Sequence, residues 1–227
     1  MNHLLAIETA TEACSAALYA DERIYSRFQI EPQGHSRLIL PMVEAVLQEA
    51  GLPREAVKGI AFGRGPGSFT GVRIATGVAQ GLAFARNLPV FAVSTLAALA
   101  QEAVALGAKN ILAAIDARMG EVYWGAFRVA QDGLVRPVMP ETVGAPEAVT
   151  VPAGDEWFGV GSGWGAYGQS LAARLGDRLR DSMPEALPKA EAILRLAALV
   201  EPGSADQALP VYLRDRVAEK SSATTVR

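Results

Sequence analysis

The stretch GRGPGSFTGVRIATG at residues 63–77 places glycine at 63, 65, 67, 71 and 77, ahead of a helix-forming run. Such a loop can bring backbone N–H groups at a helix N-terminus onto an anion, because no side chain blocks the approach. The spacing, however, fits neither phosphate pattern. A Walker loop needs a lysine after its last glycine, and none occurs between Lys58 and Lys109; the dinucleotide pattern GxGxxG fails where Gly65 and Gly67 are followed by Thr70. The same residues support another use. Gly71 and Ala75 lie four apart, as do Gly77, Gly81 and Ala85, with Val72, Ile74, Val78 and Leu82 between them. A glycine inside a helix costs about 1 kcal/mol against alanine, so close packing by another element must offset it. The preferred reading is that the glycines let other helices approach, with Ser68 or Thr70 capping the start.

The remaining reactive residues are sparse. Asp116 and Glu121 flank the turn DARMGE, with Arg118 between them. Two carboxylates could do acid and base work if they converge on a substrate, but a local pairing with Arg118 that fixes the turn needs fewer assumptions. GVGSGWGAYG, residues 159–168, matches GxGxxA through Gly161, Gly163 and Ala166. It lacks a following strand that ends in an acid, so it reads as a strand-to-helix turn with Trp164 and Tyr167 packing inside. Neither Ser68 nor Cys14 has a sequence context that supplies a base, which argues against a peptidase. Cys14 sits among apolar residues and reads as a small buried side chain. His3 and His35 are too few for a histidine-rich metal centre, and His35, ahead of a helix, is expected at the surface or as a cap. The run ARLGDRLRD is broken by Asp177 and Asp181 and reads as a solvated face before a nucleic-acid patch.

These residues must be positioned by a mixed α/β chain. With 227 residues, 50% of them hydrophobic, it can bury a sizeable core, while a net charge of −3 gives no general attraction to phosphate backbones. A lone cysteine and a start without a signal pattern lead to a cytoplasmic expectation, and the uncharged segment at residues 87–101 is too short to span a bilayer. HLLAIET, CSAALYA and RIYSRFQI alternate as three strands. SRLILPMVEAVLQEAG then places Leu38, Ile39, Met42, Val43, Val46 and Leu47 on one helical stripe, capped at Gly51, with Pro41 forcing a late start or a bend. AVKGIAFG, a helix over residues 68–87, PVFAV and the helix TLAALAQEAVALG complete a βββαβαβα order within residues 1–107. NILAAID and EVYWGAFRV open a second series, with a hairpin signal at Asp132 and Gly133. EWFGV adds a strand, SGWGAYGQSLAARLG and KAEAILRLAALVE add helices, residues 137–152 read as loops, and the tail SSATTVR reads as mobile. Two lobes are expected, residues 1–107 and 108–227, with the last helical segment able to pack back on the first.

The combination of AIETATEACSAAL, HSRLILPMVEAVL, GRGPGSFTGVRIATG, PVFAVSTLAAL and DARMGEVYWGAF resembles the TsaB (YeaZ) family over nearly the whole chain. GPGSFTGVRI is the most specific of these signatures. The resemblance implies two RNase H-like lobes of the actin, sugar-kinase and Hsp70 ATPase architecture. It also implies a non-catalytic subunit that binds and activates a TsaD-like enzyme forming threonylcarbamoyladenosine at position 37 of tRNAs that read codons beginning with A. A TsaE-like ATPase would join the larger complex, and tRNA would be reached through the partner.

Enzymes of this architecture hold phosphates at a turn after the first strand, which here reads Glu8-Thr9-Ala10-Thr11, an acid and hydroxyls without glycine. The second such turn, residues 116–120, has bulky side chains where TsaD has glycines. Two histidine ligands of TsaD-like enzymes fall on Thr95 and Leu99, and leucine offers no donor atom. The resemblance therefore implies no cofactor, no metal and no catalytic residue in this chain. It places the partner contact on two helices, through Leu38, Met42, Val46, Ser68, Phe69, Val72, Arg73 and Thr76, and lets the same face self-associate. The competing readings are an ATP-dependent phosphotransferase of the sugar-kinase type and a homodimeric structural protein.

Overall fold

In the computed structural model, which describes residues 3–154 and 156–214, the alternating opening becomes β1 (Leu4–Glu8), β2 (Ala13–Ala20) and β3 (Arg23–Ile30), all antiparallel. Every residue of β1 is buried, because the strand is covered on both faces. Leu4 and Ala6 join a core between the two sheets, whereas Leu5 and Ile7 join one on the outer face of the first. Next comes α1 (His35–Glu49), which runs through Pro41 rather than starting just before it. The proline costs one intrahelical bond and lies on the exposed side. Gly51, at φ +66°, ends the helix as its sequence position implies, with the Leu52 N–H donating to the Leu47 carbonyl at 3.0 Å.

β4 (Gly59–Gly63) pairs in parallel with β1, α2 (Phe69–Phe84) crosses back, and β5 (Val90–Val93) pairs in parallel with β4. The first sheet thus has the order β3-β2-β1-β4-β5. After α3 (Thr95–Glu102), the second sheet repeats the plan. β6 (Asn110–Arg118), β7 (Glu121–Val129) and β8 (Val135–Pro137) are antiparallel, while β10 (Trp157–Val160) and β11 (Leu179–Met183) extend the other side in parallel. Two strands escape the sequence reading. β9 (Thr142–Gly144) lies in the expected loop region and pairs with β7, and β11 comes from the stretch read as a solvated face. Its Arg180 and Asp181 are exposed, so it is both a strand and a wet surface.

Five layers result. α1 and α2 cover the outer face of the first sheet; α3 and α5 (Ala190–Leu196) lie between the sheets; α4 (Ser162–Leu175) covers the second. α5 belongs to the later sequence but packs on β1 and β2, where the Ala190 N–H donates to Ser15 Oγ at 2.9 Å. The chain then stays on the first sheet. Gly203 and Val90 exchange backbone bonds, Gln80 donates to the Ala208 carbonyl, and the Val211 N–H donates to the Arg64 carbonyl at 2.8 Å. Arg214 then reaches the second sheet, bonding Glu121 and the Ala117 carbonyl. The tail SSATTVR lies outside the described residues. Among the described residues no helix is long and apolar enough to cross a membrane.

Candidate functional site

Glu8 is the last residue of β1, on the same face of the strand as Leu4 and Ala6, and its carboxylate is sealed there. Its side chain is wholly buried. Oε1 accepts from the Ala10 N–H at 2.6 Å, and Oε2 accepts from the Thr95 hydroxyl at 3.1 Å. Thr95 Oγ1 in turn accepts from the Gly65 N–H at 3.2 Å. Burial pushes the carboxyl from its ordinary 4.5 up to about 7, against the opposing pull of the Ala10 N–H, the Thr95 hydroxyl and the Thr9 N–H. Thr95 follows β5 by two residues and starts α3, so the residue in the expected ligand position closes over the acid instead. Leu99, the other such position, is core.

The glycine stretch fits around the turn after β1. A Cβ on Gly63 would overlap Glu8 Oε2, one on Gly67 would overlap the Ala10 carbonyl, and one on Gly71 would overlap the Thr9 carbonyl. These three glycines thus admit the chain's own first turn, not a partner's helix, which corrects the sequence reading for them. The donors at the start of α2 are partly spent on the same contact. The Ser68 N–H donates to Ala10 O at 2.7 Å, Ser68 Oγ caps the Gly71 N–H at 3.1 Å, and Thr9 Oγ1 donates to the Gly71 carbonyl at 2.7 Å. Gly77 and Gly81 differ, since a Cβ at either would meet nothing within 4 Å among the described residues.

The other candidates fall into structural roles. Arg118 pairs with Asp116 at 2.9 Å, as the turn reading expects, whereas Glu121 is taken by Arg214. Gly159 and Gly163 leave room for Trp164 and Ala114, and Trp164 Nε1 donates to the Leu112 carbonyl at 2.9 Å, so the second glycine cluster is a packed strand-to-helix turn. Cys14 is buried, and desolvation pushes its thiol up to about 12. His35 departs from expectation. It is the first residue of α1, 7% exposed and no cap, and its Nε2 has no hydrogen-bond partner among the described residues.

The outer face of α1 and α2 has the opposite character. Between the helices runs a groove of about 570 Å³, with Leu5, Val57 and Ile60 at its base and Leu40, Leu82 and Ala85 on its walls. Arg86 closes one end by donating to the carbonyls of Arg54, Glu55 and Val57. Of the eight predicted contact residues, four turn inward: Met42, Val46 and Val72 are core, and Thr76 is buried with its hydroxyl bonded to the Val72 carbonyl. Leu38 is half-buried, and Ser68, Phe69 and Arg73 are exposed. The face also presents Leu40 and Phe84, 49% and 81% exposed, which the sequence reading did not select. Their signal was present: both are large apolar residues off the buried stripe of their helices.

The family model described as "TsaD: tRNA N6-adenosine threonylcarbamoyltransferase" matches residues 29–223. The Escherichia coli K12 protein named tRNA threonylcarbamoyladenosine biosynthesis protein TsaB is 44% identical over 96% of this chain and 96% of its own. The Haemophilus influenzae protein of the same name is 42% identical over 96% of this chain and 95% of its own. The solved structure described as YeaZ from Pseudomonas aeruginosa superposes with a TM-score of 0.87 at 51% identity, covering 94% of this chain and 100% of that one. The chain belongs to the TsaB (YeaZ) family, and its two mixed sheets flanked by helices are the RNase H-like halves of the actin, sugar-kinase and Hsp70 ATPase fold.

Proposed function

We propose that this TsaB-family chain is a non-catalytic subunit in the formation of threonylcarbamoyladenosine on tRNA, where it binds and activates a TsaD-like enzyme. The observation that carries the reading is a contrast within one lobe. The acid at the phosphate turn is enclosed by Ala10 and Thr95, while the neighbouring helix pair leaves an apolar groove and two large apolar side chains open to solvent. A monomer gains nothing from exposing Phe84 and Leu40, and such patches mark contact surfaces. The partner's helices would fill the groove against Leu40 and Leu82 and meet Leu38, Phe69, Arg73 and Phe84 outside it. Self-association through the same face is the competing state, a TsaE-like ATPase acts on the assembled pair, and tRNA is held by the partner.

The test is threonylcarbamoylation of tRNA by the other purified components, with and without this chain and with Leu40→Glu. Activity that needs the chain and is lost with Leu40→Glu supports the proposal. An unchanged rate without the chain refutes it. A sugar-kinase type of phosphotransferase gains no support from Glu8, which is too enclosed to reach a nucleotide's metal.

A further inference from the structure

Arg73 is the only charged residue in α2, and its setting is unusual for a surface arginine. Its guanidinium carbon lies 3.3 Å from the centre of the Phe69 ring and 5.5 Å from that of Tyr212, two rings whose centres are 6.0 Å apart. Tyr212 comes from the last described segment of the chain, held in place by the bond from the Val211 N–H to Arg64 and by Arg214 on the second sheet. Two distant parts of the sequence thus build one aromatic platform for one cation. At 3.3 Å the contact uses the flat face of the guanidinium, which leaves the in-plane N–H donors uncovered by the rings. Among the described residues, no carboxylate pairs with Arg73, whereas the exposed acids Glu44 and Glu49 of the neighbouring helix are occupied by Arg54 and Arg27.

A surface arginine usually loses much rotamer freedom on pairing, and fixing it beforehand removes that cost from binding. Resting on the docking reading above, we infer that Arg73 is a preset anchor for an aspartate or glutamate on the partner's helix. Its in-plane donors take that carboxylate bidentately. The occupant is therefore an amphipathic helical surface of defined layout. Its apolar residues meet the exposed Phe84, which lies on the same side of α2 as Arg73, and its acid lies about three turns away, since the two are separated by roughly 16 Å along the helix. A second copy of this chain fits less well, because Glu44 and Glu55 stand with Arg54 and Arg86 at the far end of the groove, in a cluster already balanced in charge.

The experiment measures binding of the full chain to the purified TsaD-like enzyme of the same cell by calorimetry, at low and moderate salt. Arg73→Glu, Arg73→Met, Tyr212→Ala and Leu40→Glu are compared, with circular dichroism to verify folding. We expect Arg73→Glu to weaken binding at least about thirtyfold and Arg73→Met about tenfold with a shallower salt dependence. Tyr212→Ala, which leaves the charge, should weaken it about threefold, and changing one acid on the enzyme's facing helix to arginine should restore binding to Arg73→Glu. Arg73→Glu binding within twofold of the parent while Leu40→Glu abolishes binding would overturn the anchor and leave the docking reading standing. Failure of the parent chain to bind overturns both. Loss that no acid-to-arginine change rescues, or an equal loss of self-association with no effect on the enzyme, also overturns the inference.

Discussion

Replacing Glu8 with glutamine removes a proton-binding group from a fully enclosed position without changing its shape, so it isolates what the burial of that carboxyl does to stability. The amide oxygen keeps the bond from the Ala10 N–H, and the amide N–H donates to Thr95 Oγ1 as the protonated carboxyl would. In the folded chain the group titrates near 7, against 4.5 when unfolded. Below about pH 4.5 both states hold the proton, and the fold enjoys its full contribution. As pH rises towards 7 the unfolded chain releases the proton while the folded chain retains it, so stability falls. At 1.36 kcal/mol per pH unit, the fall approaches about 3 kcal/mol, a large share of the 5–15 kcal/mol typical of a domain. Urea unfolding at pH 5, 6, 7 and 8, followed by two probes to verify a single transition, should show Glu8→Gln gaining on the parent by about 2–3 kcal/mol between the first and last pH. A constant difference across that range, or one that shrinks with pH, would refute the sealed-acid argument.

The glycines give a paired prediction. Gly71→Ala puts a methyl into the Thr9 carbonyl and should cost at least ~2 kcal/mol, whereas Gly77→Ala meets open space and should stabilise by about 0.5–1 kcal/mol; thermal melts of both variants check the contrast. Ser68→Ala removes the bond to the Gly71 N–H and should cost about 1 kcal/mol in chemical denaturation, like other lost helix caps. Arg214→Ala frees Glu121 and the Ala117 carbonyl, so amide exchange in residues 208–214 should accelerate at least tenfold while that of β1 stays unchanged.

The first thirty residues and the hairpin of β6 and β7 were legible because alternation is strong where a strand has one or both faces in a core. β9 and β11 were not, for a physical reason: β9 has three residues, and β11 is an edge strand whose central Arg180 and Asp181 face water, so neither carries an apolar period. The site shows the same divide. Position 8 was legible as an acid after a strand, but its enclosure depends on Thr95 and Gly63, contacts between residues far apart in sequence. The helix α2 misled for a different cause. Small residues occupy every side of it, so an apolar stripe alone could not say whether Val72 and Thr76 or Phe69 and Gly77 face inward. Its few long polar side chains settle the matter. Arg73 must reach water, which turns Phe69 and Gly77 outward with it and commits Val72, Ala75, Thr76, Ala79 and Ala83 to the sheet. Small residues therefore divide into two kinds here. Those at 71, 75, 79 and 83 let α2 lie close on its own sheet, and those at 77 and 81 keep its outer side low, so that Phe69, Arg73 and Phe84 stand above it as separate points of contact.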